Sequence, residues 1–396
     1  MKKNLLFVMP SLSAGGGEKS LINLLSQIDY TSYNVDLFLF NKNGIFMESI
    51  PKGVNVLDFS NDYKVFRRKL FYSTMFFLKN GKFSLAYSRL MFTIRNRMLK
   101  DVKNSEQYTW KYMRESFDTL EKEYDVAIGY LEKSPIYFVV DKVKAKKRIG
   151  WIHTNYFNSG MDYRFDYPYF RKLNNIITVS EECVKSLGNS FVDLKQKLKV
   201  IYNIVSPKVI QNLSNDKTLK DSIFDKSYIN IITTARLSHE KGIDLAINSC
   251  KLLVNRGHKV RWYVLGNGKE KSALERLIEK NNLTDNFKLL GVRENPYPYI
   301  KKADIYVQPS RYEGKSIAID EAKILNKPII VTNFSTAKDQ IENKIDGLIV
   351  DMEPRDIANG VEKLIKDIGL KHKLVNNLSK KKFGTEEEIY KLYEIL

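Results

Sequence analysis

Apolar and polar positions alternate along the chain so as to predict strands and helices in turn. Leu5 to Met9 is a short apolar run, read as a first strand. A loop separates it from a helix beginning at Glu18, where Leu21, Ile22, Leu24, Leu25 and Ile28 recur at helical spacing. Asn34 to Phe40, Val126 to Tyr130, the end of Lys147 to Ile152, Ile176 to Val179 and Leu198 to Ile201 are further strand-like runs. A second series opens with strand Ile229 to Ala235 and helix Ile243 to Arg256. It continues with strand Val260 to Leu265, helix Lys269 to Asn281, and strands at Phe287 to Leu290, Ile305 to Gln308, Pro328 to Val331 and Leu348 to Val350. β-Branched runs spaced by amphipathic helices predict parallel sheets covered on both faces, hence an α/β chain of two doubly wound domains. The joint falls near Asn203 to Asp225, where Pro207, Ser, Asn, Asp and Lys accumulate and the strand pattern lapses.

One stretch departs from this alternation. Residues 62–100 hold ten Lys or Arg, one acid (Asp62) and nine aromatics, with no Pro and a single Gly81, so helices are expected there. The whole chain of 396 residues carries 65 Lys and Arg against 46 Asp and Glu, a formal charge of +19. That balance favours anionic partners, namely nucleic acid, an anionic membrane surface or phosphorylated substrates. No run approaches the roughly 18–20 apolar residues that span a bilayer. The basic start Met1-Lys2-Lys3 before Leu5 faintly resembles a signal peptide, but the apolar stretch is short and runs into Pro10, so a strand is the better reading. Two cysteines, Cys183 and Cys250, make no disulfide framework and suit a reducing compartment.

Ligands bind doubly wound sheets at the carboxyl ends of strands, so the loops there are where chemistry is expected. Ser13-Ala14-Gly15-Gly16-Gly17-Glu18 lets the backbone approach a ligand and offers free N–H groups at a helix start, which suits phosphate; the alternative is a tight turn with Glu18 as a first-turn acid. Arg236 and Lys241 follow a strand and could clamp a diphosphate, or could be ordinary surface cations. Gly266 and Gly268 form a bare GxG after another strand. Glu313 lies in the loop after Ile305 to Gln308, Ser316 is placed as an N-cap or first-turn residue, and Glu321 lies on the helix that follows. The two acids could accept from sugar and ribose hydroxyls, or could merely complement the helix dipole and face water. His153 follows a strand in Trp151-Ile-His-Thr, as a hydrogen-bond donor or as a satisfied structural histidine. No HxxH, HExxH, cysteine cluster or DxD occurs, so neither a zinc site nor a chelated divalent cation is expected.

Taken in order, Gly15-Gly16-Gly17-Glu18, His153, Val179-Ser180, Val200 to Asn203, Arg236 with Lys241, Gly266 with Gly268, Ala303 to Ser310, and Glu313 with Glu321 seven residues between resemble the GT-B glycosyltransferases, in particular the retaining family 4 group. The likeness covers residues 1–60 and 125–366. It departs from the family pattern at Gly314-Lys315-Ser316, where an aromatic loop is usual, and at residues 62–122, which look like a helical insertion.

The resemblance implies two Rossmann-like domains facing across a cleft. An acceptor-binding domain would cover 1–204 and a nucleotide-sugar-binding domain 205–383, with residues 384–396 packing back on the first. It implies that Arg236 and Lys241 stabilise the leaving diphosphate, that Glu321 binds ribose, and that Glu313 and His153 meet the donor sugar. Gly15, Gly16, Gly17, Gly266, Gly268 and Ser316 would cradle the donor. The expected activity is transfer of a hexose or N-acetylhexosamine from a UDP-sugar, with retention and without metal or cofactor, to a lipid-linked or surface-polysaccharide acceptor. The expected setting is cytoplasmic and peripheral to an anionic membrane bound through residues 62–100, with no nucleic-acid partner. The competing readings are another GT-B enzyme, such as a nucleotide-sugar epimerase or a phosphorylase, and a basic nucleic-acid-binding protein.

Overall fold

The computed structural model describes residues 2–13, 15–99, 104–215, 224–293 and 295–396. Ala14 of the glycine-rich loop, residues 100–103 of the expected insertion and residues 216–223 of the expected joint lie outside them. The chain divides into two compact units. One comprises Met1–Ser13, Leu24–Ile201 and Ile389–Leu396, the other Ala14–Asn23 and Tyr202–Glu388.

The first unit is built on seven parallel strands: β1 (Lys3–Met9), β2 (Tyr33–Leu39), β3 (Val54–Val56), β4 (Leu120–Gly129), β5 (Val143–Ile152), β6 (Asn175–Thr178) and β7 (Leu198–Val200), in spatial order β3-β2-β1-β4-β5-β6-β7. β1 is buried from Leu5 to Met9, which its unbroken apolar run requires of a central strand. β3 has no counterpart among the expected strands. It is three residues long, lies at the sheet edge and carries no buried side chain, so no apolar run marks it. β4 and β5 begin earlier than their apolar runs because Glu121, Lys122, Glu123, Lys144 and Lys146 extend them into solvent.

Between β3 and β4 the chain forms helices Asn61–Phe66, Leu70–Lys79, Phe83–Met98 and Ser105–Met113. Val65, Phe66, Phe77, Leu85 and Ala86 make a small core of their own beneath these helices. The main core of this unit is aromatic: Phe38 stacks on Phe138 with centroids 4.5 Å apart, and Phe40, Trp110 and Phe117 close around them.

Residues 389–396 complete this unit. Tyr393 stacks on Tyr33 at 5.4 Å and its hydroxyl accepts from the Asp29 amide at 2.9 Å. Lys3 and Lys147 donate to the Leu396 and Ile395 carbonyls at 3.1 and 2.8 Å.

The second unit carries six parallel strands: β8 (Ile229–Thr234), β9 (Val260–Leu265), β10 (Phe287–Gly291), β11 (Ile305–Gln308), β12 (Ile329–Thr332) and β13 (Leu348–Val350), in spatial order β10-β9-β8-β11-β12-β13. Helices Ile243–Asn255 and Pro354–Lys366 bury Ile247, Leu253, Ile357 and Leu364 against one face, while Ile317–Ile324 covers the other. The start of helix Gly16–Leu25 groups with this unit, not with the first. Ser20 donates to Asn203 at 2.7 Å and Asn23 to the Ile204 carbonyl at 2.8 Å.

Phe138→Ala should remove the centre of the aromatic cluster. A loss of about 3–5 kcal/mol is expected, read as a fall in melting temperature of roughly 6–20 °C. A shift within a degree of wild type would show that the cluster relaxes to fill the space.

Candidate active site

Both sheets reverse their strand order beside the first strand, between β1 and β4 and between β8 and β11. At such a reversal the loops leaving the two neighbouring strands run to opposite faces, and a crevice opens at their carboxyl ends. In the second unit the loop after β8 carries Arg236 to Lys241 and the loop after β11 carries Pro309 to Ser316.

These two loops are tied by an ion pair. Lys241 Nζ donates to Glu313 Oε2 at 2.5 Å. Glu313 is 7% exposed, and its other oxygen accepts from Ser310 Oγ at 2.7 Å and Gln308 Nε2 at 3.2 Å. Tyr306 in turn donates to Gln308 at 2.6 Å, so the carboxylate is oriented by a buried polar chain from β11. The Arg236–Lys241 loop ends in a 3₁₀ turn, His239–Lys241, stopped by Gly242 at φ +63°. A Cβ at Gly242 would run into the Pro309 carbonyl oxygen, so the close approach of the two loops demands glycine there.

Arg311 secures the same loop. Its guanidinium donates twice to Asp244, at 2.8 and 2.6 Å, and once to the His239 carbonyl at 2.7 Å, while its amide donates to the Glu240 carbonyl at 2.8 Å. Burial opposes charge on Asp244, but the Arg311 bonds outweigh it and lower its pKa. Glu240 is likewise held below the usual carboxylate range: burial raises it, and the Ser238 hydroxyl, Lys241 and Arg236 lower it further. Arg236 itself is exposed and lies against Gly15, where a Cβ would meet its guanidinium at 2.8 Å. Gly16 and Gly17 are the opening residues of helix Gly16–Leu25, and a Cβ on Gly16 would meet nothing.

Gly266, at φ +150°, and Gly268 press on the backbone of the Arg236 loop, so that a Cβ on either would strike the Ala235 or Leu237 carbonyl oxygen. Ser316 precedes helix Ile317–Ile324 without a side-chain cap bond. Its amide donates to Gln340 Oε1 and its carbonyl accepts from Gln340 Nε2, both at 2.8 Å. Glu321 is 2% exposed; it pairs with Lys19 from helix Gly16–Leu25 and accepts from Tyr297 OH at 3.1 Å. Lys19 also lies 4.5 Å above the Tyr297 ring. Burial depresses the Lys19 pKa, yet Glu321 and Tyr297 outweigh it and hold the ammonium charged. The second unit thus brings together Gly15, Arg236, Lys241, Gly266, Gly268 and Glu313 around one loop, and holds Glu321 beside Lys19 and Tyr297.

His153 belongs to the first unit, at the carboxyl end of β5. Its amide donates to Glu132 Oε2 at 3.2 Å from the end of β4. The ring lies beside Tyr130 and Trp151, with centroids 5.0 and 6.1 Å away, and Nε2 finds no protein partner among the described residues. Burial pushes its pKa down to about 3, against a bond to the Tyr130 backbone, so the ring is neutral near pH 7. The same burial raises Glu132.

Arg311, Asp244, Lys19, Tyr297 and Glu132 were not among the residues expected from the sequence. Each acts through a partner distant along the chain. Only the acid in the first turn of helix Ile243–Asn255 and the position of Arg311 directly after Pro309-Ser310 hinted at a role. No three His, Cys, Asp or Glu side chains come together as a metal cage among the described residues.

Residues 214–381 match the family model described as glycosyl transferases group 1. An uncharacterized glycosyltransferase from Methanocaldococcus jannaschii is 34% identical over 178 residues, 44% of this chain and 44% of the relative. The capsular polysaccharide biosynthesis glycosyltransferase CapM from Staphylococcus aureus is 29% identical over 167 residues, 40% of this chain and 44% of the relative. The chain therefore spans less than half the length of these curated relatives. The crystal structure of Anabaena HepE in complex with UDP-glucose matches over 100% of both chains, with a TM-score of 0.70 at 15% identity. That likeness shows the fold, GT-B.

The His153 ring gives a sign-definite pH dependence. An unfolded histidine titrates near 6.5, while the folded ring titrates near 3, so the unfolded chain binds the extra proton between these values. Its contribution is complete above pH 6.5 and is lost as pH falls toward 3, by up to about 1.4 kcal/mol per pH unit. Glu132 works in the opposite sense. Urea midpoints of wild type should therefore fall more steeply below pH 6.5 than those of His153→Gln. Parallel curves would mean that the ring charges freely in the folded state.

Proposed function

We propose that this chain, whose residues 214–381 belong to the glycosyl transferases group 1 family, is a glycosyltransferase moving a hexose or N-acetylhexosamine from a UDP-sugar to a lipid-linked or surface-polysaccharide acceptor. What carries the reading is the second unit's crevice, where a cationic loop, a glycine-walled approach and a buried, oriented carboxylate meet at the strand reversal. Transfer breaks the bond between the anomeric carbon and a diphosphate oxygen and forms one to an acceptor hydroxyl, so negative charge grows on the diphosphate. Arg236 and Lys241 are placed on one short loop to meet that charge, and Arg311 with Asp244 fixes the loop beforehand.

Glu313 has two tasks in this scheme. It holds Lys241 near its working position and accepts from a sugar hydroxyl when the donor displaces part of that pairing. Glu321 accepts from the ribose diol, with Lys19 and Tyr297 keeping the carboxylate in place before the donor arrives. The Gly266 and Gly268 backbone admits the donor without a clashing side chain. His153, uncharged, offers a ring nitrogen to a sugar hydroxyl. UDP is favoured because HepE is seen with UDP-glucose, and the acceptor class because CapM acts in capsular polysaccharide biosynthesis. A lipid-linked acceptor would be met at a membrane surface, the setting this proposal adopts for the chain. Retention and metal independence complete the proposal, since two fixed cations can take a metal's part on the diphosphate.

Release of nucleoside diphosphate from a panel of nucleotide sugars, with and without a lipid-linked acceptor, tests the reaction. Acceptor-dependent UDP release is expected; release with sugar epimerised or left free would favour an epimerase or hydrolase instead. Lys241→Ala should lower transfer by roughly 10²–10³, or about 3–4 kcal/mol, at a temperature where circular dichroism shows the variant folded; its melting temperature should fall as well, because Glu313 loses its partner. Near-normal turnover would remove the diphosphate role. Transfer should also persist in EDTA; abolition with rescue by Mg²⁺ or Mn²⁺ would contradict metal independence.

A further inference from the structure

The inserted helices expose an apolar surface that no described residue of the first unit covers. Helix Phe83–Met98 turns Leu85, Ala86 and Ser88 inward. On its outer side Phe83, Tyr87, Leu90, Ile94 and Met98 follow one another at spacings of three or four residues, and all five are exposed. Phe83 is 68% and Met98 71% exposed. Helix Leu70–Lys79 repeats the arrangement with Phe71, 79% exposed, then Met75 and Leu78. The two helices pack together through the small core under them and are joined by a turn at Gly81, φ +70°. Of the nine aromatics in this segment, Tyr63, Phe66 and Phe77 are buried and Phe76 and Phe92 half-buried, while Phe71, Tyr72, Phe83 and Tyr87 face outward.

The charge around this surface is of one sign. Arg67, Arg68 and Lys69 lead into the first helix, Lys79 and Lys82 flank the turn, and Arg95 and Arg97 lie near the end of the second; all seven are exposed. The one acid, Asp62, is already engaged by Lys82 at 2.6 Å. A second copy laid against this face would bring two equal sets of cations together with no acids to oppose them, so like-charge repulsion disfavours it. A sixteen-residue helix is about 24 Å long, and no helix among the described residues is long and apolar enough to cross a membrane. An apolar stripe bordered by Lys and Arg is the pattern of a helix lying in the plane of a bilayer interface.

We propose that helices Leu70–Lys79 and Phe83–Met98 form a hairpin that lies in the surface of an anionic membrane, its two apolar stripes among the upper acyl segments and its cations at the lipid phosphates. The proposal sharpens the membrane-surface part of the proposed function and stands on the insertion alone, apart from the transfer chemistry. Each cation at the surface is worth about fivefold in partitioning. Binding is therefore expected to need anionic lipid and to weaken with salt, while the stripes add a component that salt does not screen.

The test uses the full chain carrying Tyr87→Trp, since Trp110, Trp151 and Trp262 are buried and leave a quiet background. With phosphatidylcholine vesicles containing phosphatidylglycerol, the chain should sediment with lipid. Its emission should shift to the blue and be quenched by brominated acyl chains; vesicles of phosphatidylcholine alone should leave both unchanged. Leu90→Asp with Ile94→Asp should lower binding at least about tenfold at high salt, with circular dichroism unchanged because both side chains are exposed. Arg67→Glu, Arg68→Glu and Lys69→Glu together should weaken binding to the anionic vesicles at low salt by at least about a hundredfold, and binding unchanged by them would overturn the proposal. The proposal fails if no vesicle binds, or if binding occurs without blue shift or quenching. It fails also if sedimentation equilibrium shows a dimer that the Leu90 and Ile94 substitutions dissolve. Acceptor-dependent UDP release on a soluble acceptor, measured on the same Leu90 and Ile94 variant, keeps the two questions apart: lost docking with intact release leaves the enzyme reading standing, and docking without release leaves the hairpin standing.

Discussion

The second unit depends on one topological fact, the reversal of strand order between the parallel strands β8 and β11. The chain leaves these adjacent strands toward opposite faces, and their loops meet only where Gly242 reaches the Pro309 carbonyl and the Arg311 amide bonds the Glu240 carbonyl, so side chains also bridge them. Lys241 with Glu313 and Arg311 with Asp244 are those bridges. Neither pair is fully exposed, so each also binds two charges whose separation would leave an acid under-solvated. Cations and carboxylates that could serve a ligand are thereby among the groups that keep the two loops in place. A ligand bringing its own negative charge and hydroxyls would exchange partners with them, where otherwise unpaired charges would have to be assembled around it.

Twelve of the thirteen strands announce themselves as apolar runs because parallel strands buried on both faces have nowhere to place polar side chains. β3, a three-residue edge strand with no buried side chain, is the exception, although β7 has the same length, edge position and burial. In the candidate site, residues that sit in short motifs after strands were legible: Arg236, Lys241, Gly266, Gly268, Glu313 and Glu321 owe their positions to local loop geometry. Lys19, Tyr297, Arg311 and Glu132 were not, because their roles arise from contacts between separate elements: Tyr297 with Glu321, Glu132 with His153, Arg311 with Asp244 and, across most of the chain, Lys19 with Glu321. Ser316 shows the intermediate case. Its place before a helix was readable, but Gln340, from a distant segment, holds its backbone in place of a side-chain cap.

The insertion shows why composition alone could not choose between a buried aromatic core and an exposed one. Its aromatics are divided by helical phase: Phe66 and Phe77 turn inward on the core shared with Leu85, while Phe71, Phe83 and Tyr87 fall on the opposite sides of the same helices. The nine aromatics of residues 62–100 fall on or beside three helices, and the four that these do not bury face outward among the cations.

Ile389–Leu396 belongs to the first unit although the chain reaches it only after the whole of the second. As the polypeptide emerges during synthesis, the sheet β1 to β7 must therefore wait, with Tyr33 and the carbonyl-bonding Lys3 and Lys147 uncovered, until Ile389–Leu396 has been made. From the synthesis of Ile201 to that of Ile389 the first unit is an unfinished fold. A premature stop anywhere in the second unit would damage the first as well, without changing a single residue between Leu24 and Ile201.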